Sequence, residues 1–222
     1  MSSAAHDVRS VPTLTHGRVV IRAARAAAAR GVIVGFHGYG ENAAIQMDRL
    51  QAIPGSASWT LVSVQALNRF YDRRTGGVVA CWMTQEDRED AIADNLAYVA
   101  AAMQEAPHDE TTPVVFAGFS QGVAMAYRAA CRGPHRAVAI IAVGGDVPPE
   151  LLQDSTVVFP PVLVIRGVRD EWYTAAKFEE DTAALTARVG AMQSLTLDAG
   201  HEWNESAGAA AARFIEEVVP RR

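Results

Sequence analysis

Short apolar runs alternate along this chain with longer amphipathic stretches, and this alternation constrains the fold more than any other feature. The runs are rich in valine and isoleucine and lie at 31–36, 60–64, 113–119, 137–143, 161–167 and 195–200. Continuous apolar runs are typical of strands that are buried on both faces of a sheet. A further run, 18–23, is predicted to form an antiparallel strand at the start of the series.

The amphipathic stretches between these runs predict helices. They lie at 42–52, 86–105, 121–132, 173–189 and 203–218. Thr84, with Asp87 three positions later, resembles a capping box at the start of the second of these helices. Strands and helices in alternation predict an α/β fold with a mostly parallel central sheet, helices on both faces and a single domain over residues 1–222.

Charge and hydropathy argue against a nucleic-acid partner and against a membrane span. The formal net charge of −5 argues against nucleic acid, because a phosphate backbone requires a concentrated basic face, and the arginine-containing stretch 22–30 is short. The chain has no run of 18 apolar residues that could span a membrane and no apolar segment of signal-peptide type at its start. A cytoplasmic location is therefore expected, and the oligomeric state stays open.

The cysteine and histidine patterns give no sign of a disulfide framework or a metal site. Cys81 and Cys131 lack CxxC spacing, so both thiols are expected to be reduced and buried. No group of histidine, cysteine and aspartate residues has the spacing of metal ligands. Neither a metal nor another cofactor is expected.

A serine between two glycines stands where a predicted strand meets a predicted helix. Residues 118–122 form a G-x-S-x-G motif around Ser120, directly after the apolar residues that begin at position 113. A sharp strand-to-helix turn strains the backbone at the serine, and side chains two residues to either side would clash in it. The turn also exposes the hydroxyl and directs the first helical N–H groups toward it. This setting predicts that Ser120 is a nucleophile.

A serine hydroxyl needs a base that removes its proton. The candidates are His6, His16, His37, His108, His135 and His201. Four of these lie in the N-terminal segment or in loops that are expected to be solvated, and His37 precedes a glycine at the end of a strand. His201 follows the last predicted strand, at the same carboxyl edge of the sheet as Ser120. His201 is therefore predicted to be the base.

The base in turn needs a carboxylate that holds its tautomer. Asp170 follows the strand predicted at 161–167, and the chain order Ser120, Asp170, His201 is the one expected for a triad on such a sheet. Asp146, after the preceding strand, is a second candidate. The adjacent Glu171 is expected to point elsewhere.

A glycine-containing loop is predicted to supply an oxyanion hole. The sequence HGYG at 37–40 ends the strand that should neighbour the nucleophile strand, and its glycines let the backbone approach a substrate closely. The backbone N–H groups of Tyr39 and Gln121 are the predicted donors to the oxyanion. His37 is expected to brace the loop.

Aromatic residues near the same edge are candidates for binding substrate. Residues 67–82 carry a turn signal at 73–77 and are predicted to form a short hairpin flap. The aromatic candidates are Phe70, Trp82, Trp172 and Trp203. Each could instead pack in the core beneath a loop. If at least two of them line the cleft, the acyl site is a shallow aromatic pocket, which would favour short acyl chains.

Together these motifs resemble the α/β-hydrolase superfamily and, within it, the phospholipase/carboxylesterase family that includes acyl-protein thioesterases. The likeness covers the chain from His37 to Trp203 and includes H-G-x-G at 37–40, G-F-S-Q-G at 118–122 and G-H at 200–201. The family's acid maps to Asp170. The sequence departs from the family at Val123, where a second glycine is frequent, and at Glu171, where proline is common.

The resemblance implies an α/β-hydrolase fold, and the chain length leaves no room for a large cap. It also implies a carboxylesterase-type serine hydrolase that acts on a small-molecule ester. An acyl thioesterase or a lysophospholipase of the same family is the main alternative. A non-catalytic binding protein with a hydrolase fold, and an acyl transferase or perhydrolase that uses the same triad, are further alternatives.

Overall fold

The computed structural model of the chain describes residues 7–25 and 29–219. His6 and part of the arginine-containing stretch 22–30 lie outside the described residues. The strands are β1 (Arg18–Arg22), β2 (Val32–Phe36), β3 (Thr60–Gln65), β4 (Asn68–Tyr71), β5 (Val78–Cys81), β6 (Val114–Phe119), β7 (Ala137–Val143), β8 (Val162–Gly167) and β9 (Met192–Leu197). The helices are α1 (Ala43–Ala52), α2 (Arg88–Gln104), α3 (Gln121–Arg132), α4 (Pro149–Gln153), α5 (Ala175–Thr186) and α6 (Glu205–Val218).

Seven strands form the central sheet in the order β1-β3-β2-β6-β7-β8-β9. Strand β1 pairs antiparallel with β3, and the other neighbouring pairs of this sheet are parallel. The predicted sheet and its antiparallel first strand are thus confirmed. The last strand begins three residues earlier than the predicted 195, because β9 is a half-exposed edge strand in which the polar Gln193 and Ser194 interrupt the apolar signal.

The sheet is covered on both faces, as predicted. Alternate residues of β2 point to opposite sides: Val32, Val34 and Phe36 join the core beneath α2 and α3, whereas Ile33 joins the core beneath α1 and α6. Both faces of β2 are fully buried, which explains why its sequence is apolar throughout. The sheet therefore holds the carboxyl ends of β2, β6, β7 and β8 in fixed positions.

Several helix boundaries differ from the prediction by one to three residues, and the starts of two helices have a clear cause. The capping box at Thr84 is wrong: α2 begins at Arg88, after Asp87 in a left-handed conformation, and the Thr84 hydroxyl accepts a hydrogen bond from the N–H of Glu86. A turn thus replaces the first turn of the expected helix. Helix α5 begins at Ala175 instead of 173, because Thr174 has an extended backbone and caps the helix, with its hydroxyl accepting a hydrogen bond from the N–H of Lys177.

A two-stranded hairpin, β4–β5, connects β3 to α2. This confirms the flap predicted at 67–82. Within the described residues no larger insertion interrupts the succession of strands and helices. No helix in this part of the chain is long and apolar enough to cross a membrane. Cys81 and Cys131 are free thiols, and burial raises the pKa of Cys131 to about 12.

Glu150 joins three helices through two arginines. Its carboxylate accepts from Arg128 Nε on α3 at 2.8 Å and from Arg88 on α2 at 2.9 Å. Burial alone would raise the pKa of Glu150, but hydrogen bonds, above all from the buried Arg128, outweigh it and lower the pKa from 4.5 to about 2. A carboxylate with a lowered pKa stabilises the fold above its unfolded-state pKa, and this contribution disappears as pH falls through the folded-state value.

We therefore expect Glu150→Gln to lower the free energy of unfolding by about 1–3 kcal/mol at pH 7 and by less near pH 2. Urea unfolding at a series of pH values measures both quantities. Glu89→Gln is the control, because Glu89 also contacts Arg88 but is largely exposed. An equal effect of the Glu150 substitution at pH 7 and pH 2 would contradict this account.

Candidate active site

Ser120 occupies a strained turn between β6 and α3. Its backbone has φ 51° and ψ −122°, a region that residues with side chains rarely adopt. A Cβ atom on Gly118 would lie 2.4 Å from the carbonyl oxygen of Gly122, and one on Gly122 would lie 2.2 Å from the carbonyl oxygen of Phe36. The two glycines of the motif are therefore required by close backbone contacts, one within the turn and one with the end of β2.

His201 connects Ser120 to a buried carboxylate. His201 Nε2 lies 2.9 Å from Ser120 Oγ, and His201 Nδ1 lies 2.8 Å from Asp170 Oδ2. Because an ionised carboxylate only accepts hydrogen bonds, this geometry assigns the proton to Nδ1 and leaves Nε2 as the acceptor from the hydroxyl. The three side chains come from the ends of β6, β8 and β9, which meet at one edge of the sheet.

Backbone hydrogen bonds hold the Asp170 carboxylate in place. Asp170 is 4 % exposed, and its second oxygen, Oδ1, accepts from the N–H groups of Trp172 and Tyr173, each at 2.9 Å. The alternative acid, Asp146, forms an ion pair with Lys177 at 3.1 Å, and Glu171 is exposed. The geometry therefore assigns the contact with His201 to Asp170.

The other described histidines lie away from Ser120 or are committed elsewhere. His16 is exposed in the N-terminal segment. His108 and His135 pack against each other, with 5.2 Å between ring centroids, in the loops before β6 and β7. These loops are at the amino ends of the strands, opposite the edge that carries Ser120. His37 is buried at the end of β2.

His37 braces the loop that follows β2. Its Nδ1–H donates to the Gly38 carbonyl at 2.7 Å, its Nε2 accepts from the N–H of Ala66 at 3.0 Å, and its own carbonyl accepts from Trp82 Nε1 at 2.8 Å. Burial lowers the pKa of His37, so the ring is neutral near pH 7. A neutral ring with both nitrogens engaged fixes the loop but is not available as a base.

The two predicted oxyanion donors, Tyr39 and Gln121, belong to segments that adjoin Ser120. The loop of Tyr39 packs against the turn, because a Cβ on Gly38 would lie 3.3 Å from Ser120 Cβ. Among the described residues, neither the N–H of Tyr39 nor that of Gln121 donates to a protein acceptor. The Gln121 side chain is anchored, since it accepts from the N–H of Trp82 and donates to the Met83 carbonyl, each at 2.9 Å.

An open cleft of about 230 Å³ adjoins Ser120 on the side of His201. Gly145, Trp172 and Lys177 are among the residues that line it. Trp172 is 76 % exposed, so its indole is available to a ligand. Phe70, on the hairpin, is partly exposed and contacts the ring of Tyr39 at a centroid distance of 5.7 Å.

Of the four aromatic candidates only Trp172 lines the cleft, and for the two buried ones, Trp82 and Trp203, the prediction as substrate-binding residues is wrong. Trp82 is fully buried, packs against Phe36 and donates its N–H to the carbonyl of His37. Trp203 is 9 % exposed and belongs to the core beneath α1 and α6. Both indoles point inward and pack in the apolar cores on the two faces of the sheet. Their position in loops of the sequence does not reveal this orientation.

Three charged residues near the site were not predicted from the sequence. Lys177 lines the cleft, and the only available signal was that it is the single lysine in the chain. Glu41 directly follows the HGYG segment, which could have drawn attention to it. Its partner, Arg49, lies eight positions later in α1, and nothing in the sequence connects it with the loop.

Comparison with solved structures identifies the fold. The chain is similar to esterase PE8, with 22% identity and a TM-score of 0.73 over 92% of this chain and 100% of that one. It is also similar to acyl-protein thioesterase 2 of Zea mays, with 19% identity and a TM-score of 0.70 over 92% of this chain and 100% of that one. The carboxylesterase of Bacillus cereus is a third neighbour, with 16% identity and a TM-score of 0.70 over 91% of this chain and 94% of that one. These neighbours, together with the sheet order and the turn at Ser120, define an α/β-hydrolase fold.

A family model for phospholipases and carboxylesterases matches residues 16–219. The chain therefore belongs to the phospholipase/carboxylesterase family, as the sequence motifs indicated, and it is a carboxylesterase-type hydrolase. A search of curated proteins found no match to the chain.

The contact between the turn and β2 leads to a prediction on stability. We expect Gly122→Ala to lower the free energy of unfolding by about 1–3 kcal/mol or more, because the added methyl group meets a backbone oxygen that cannot move without distorting β2. Urea unfolding measures this loss. Gly190→Ala is the matched control, because a Cβ there would meet no atom within 4 Å. Equal stability of the two variants would contradict the contact.

Proposed function

We propose that this hydrolase cleaves carboxylic esters with short acyl chains through a covalent acyl-enzyme on Ser120. The observation that carries the proposal is the continuous hydrogen-bonded path from Asp170 through His201 to Ser120 Oγ, with distances of 2.8 and 2.9 Å. Such a path is the arrangement in which a neutral imidazole can take the proton of a serine hydroxyl.

The reaction has two halves. Ser120 Oγ attacks the acyl carbonyl while His201 Nε2 takes the hydroxyl proton, and the alcohol then leaves with that proton as the C–O bond breaks. A water molecule attacks the acyl-enzyme, His201 takes its proton, and the carboxylic acid is released as the proton returns to Ser120. Asp170 keeps the imidazole in the required tautomer and stabilises its protonated form.

The amides of Tyr39 and Gln121 are proposed to stabilise the tetrahedral intermediates. Both belong to segments that adjoin Ser120 and have no protein acceptor among the described residues, so they are available to an oxyanion. One such donor lowers the barrier by about 3 kcal/mol. Gly38 and Gly40 leave this approach free of side chains. The oxyanion would form opposite His201, with the leaving group on the side of the base.

The acyl preference is proposed from the size of the cleft. Trp172 is the one aromatic candidate that lines it, so the condition of two lining aromatic candidates is not met and the small volume carries the proposal. A cleft of about 230 Å³ is smaller than the sites of drug-sized ligands. Each methylene group contributes about 0.8 kcal/mol only while it is buried, so a short cleft stops gaining affinity after a few carbons.

The test of the proposed nucleophile is Ser120→Ala. We expect the variant to fold like the wild type, because the hydroxyl lies outside the core, and to lose hydrolysis by a factor of about 10⁶ in kcat. Turnover of a chromogenic butyrate ester and labelling by a fluorophosphonate probe are measured together. His135→Ala, at the opposite edge of the sheet, is the control that should keep full activity. A Ser120→Ala variant with a tenth of wild-type kcat would refute the assignment.

A panel of esters and thioesters of graded acyl length tests the substrate. We expect the highest kcat/KM between about two and six carbons, since longer chains leave the cleft. Ser120→Ala gives the background rate for each compound. A soluble sixteen-carbon substrate that exceeds the butyrate by about tenfold in kcat/KM would replace the short-chain proposal with a long-chain thioesterase or lysophospholipase role.

A further inference from the structure

The loop that carries Tyr39 is tied to an ion pair outside the proposed triad. Glu41 Oε2 accepts the N–H of Gly38 at 2.8 Å, so the carboxylate holds the loop one residue before the proposed oxyanion donor. Arg49 on α1 donates to both oxygens of Glu41, at 2.6 Å each. A bidentate contact of this kind fixes the orientation of the carboxylate as well as its position.

The same arginine reaches the nucleophile strand. The guanidinium carbon of Arg49 lies 4.2 Å from the ring centroid of Phe119, the residue that precedes Ser120. Phe119 also contacts the ring of His201, at a centroid distance of 5.0 Å. The Glu41–Arg49 ion pair therefore connects the loop of the proposed oxyanion hole with Phe119, which precedes the nucleophile and contacts the base.

The charges of Glu41 and Arg49 matter because the pair lies beside the proposed oxyanion site. An unpaired carboxylate beside the oxyanion site would oppose the negative charge that develops there. Glu41 is only about one-fifth exposed, and its charge is compensated by Arg49. Burial by itself would raise the pKa of Glu41, but the hydrogen bonds and charge of Arg49 outweigh it, so the net shift is downward and the group is ionised near pH 7.

We propose that Glu41 and Arg49 are positioning residues for the reaction: Glu41 sets the oxyanion loop through the N–H of Gly38, and Arg49 both neutralises Glu41 and fixes the loop relative to Phe119 and His201. The inference rests on the proposed function of Ser120. Neither side chain is required to touch the substrate. The Glu41–Arg49 pair is therefore expected to stabilise the transition state without contributing to substrate binding.

The proposal is distinguished from simple stabilisation by a set of variants. Glu41→Ala removes the acceptor for Gly38, Arg49→Met leaves the carboxylate without its counter-charge, and a double variant combines Arg49→Met with Glu41→Gln. Two controls are matched to these changes. Glu150→Gln removes an arginine-paired carboxylate of similar exposure, and Arg188→Met removes a guanidinium that lies over the ring of Phe159; neither residue lines the cleft at Ser120.

For each variant, kcat and KM for the butyrate ester, Tm, and the affinity for a trifluoromethyl ketone that forms a tetrahedral adduct with a serine are measured. We expect Glu41→Ala and Arg49→Met to lower kcat by about 10- to 100-fold, in the range of a weakened oxyanion donor, with KM changed less than about threefold. Ketone affinity should fall in parallel with kcat/KM. The controls should lower Tm and leave kcat within about twofold.

The double variant gives the sharpest readout. If the unpaired carboxylate opposes the oxyanion, removing its charge restores part of the lost rate, so the double variant should exceed Arg49→Met in kcat by about fivefold or more. A purely structural pair predicts no such recovery. If Arg49→Met does not fold, the comparison of Glu41→Ala with Glu150→Gln decides the question: the proposal requires a lower kcat for Glu41→Ala than for Glu150→Gln.

The inference is overturned if Glu41→Ala and Arg49→Met lower Tm as the controls do but keep kcat within about twofold of the wild type. Its failure is distinct from that of the proposed function. A wild-type protein that neither hydrolyses esters nor reacts with a fluorophosphonate would refute the function and this inference with it. An active wild type whose Glu41 and Arg49 variants keep full kcat would refute this inference alone.

Discussion

The backbone contact between Gly122 and the end of β2 is the constraint on which the site depends. It lets the first turn of α3 approach the carbonyl of Phe36 so closely that a Cβ on Gly122 would lie 2.2 Å from its oxygen. This contact brings the HGYG loop against the turn of Ser120. A parallel sheet with both faces buried supplies the rigidity that the contact needs, because neither β2 nor β6 can shift without disturbing both cores.

Around this turn, hydrogen bonds from neighbouring residues fix the Asp170 carboxylate and the loop of Tyr39. Asp170 is fixed by the amides of Trp172 and Tyr173, and the loop of Tyr39 is fixed by His37 and Glu41. These contacts are made before any substrate arrives, so the groups need little reorganisation during the reaction. The strained backbone at Ser120 persists because the surrounding contacts determine it fully.

The parts of the site that follow strand ends were predictable, whereas side-chain orientation was not. Ser120 and Asp170 follow the buried strands β6 and β8, His201 follows the half-exposed edge strand β9, and parallel strands bring their carboxyl ends to one edge. Trp82 and Trp203 also lie near that edge in the sequence, yet both point into the core. A tryptophan in a loop fits either environment, and the choice depends on the space beneath it.

The sequence by itself determined three features: the alternation of strands and helices, the glycines that permit the turn at Ser120, and the family to which the chain belongs. These features are encoded locally, in apolar runs and in residues that tolerate a strained or crowded backbone. Tertiary structure alone decided that Trp82 and Trp203 point into the core and that Arg49 joins Glu41 to Phe119, whereas the contact of Asp170 with His201 agrees with the order of preference that the sequence indicated. Such pairings depend on the distances between elements that are remote in the chain, which no local pattern of residues specifies.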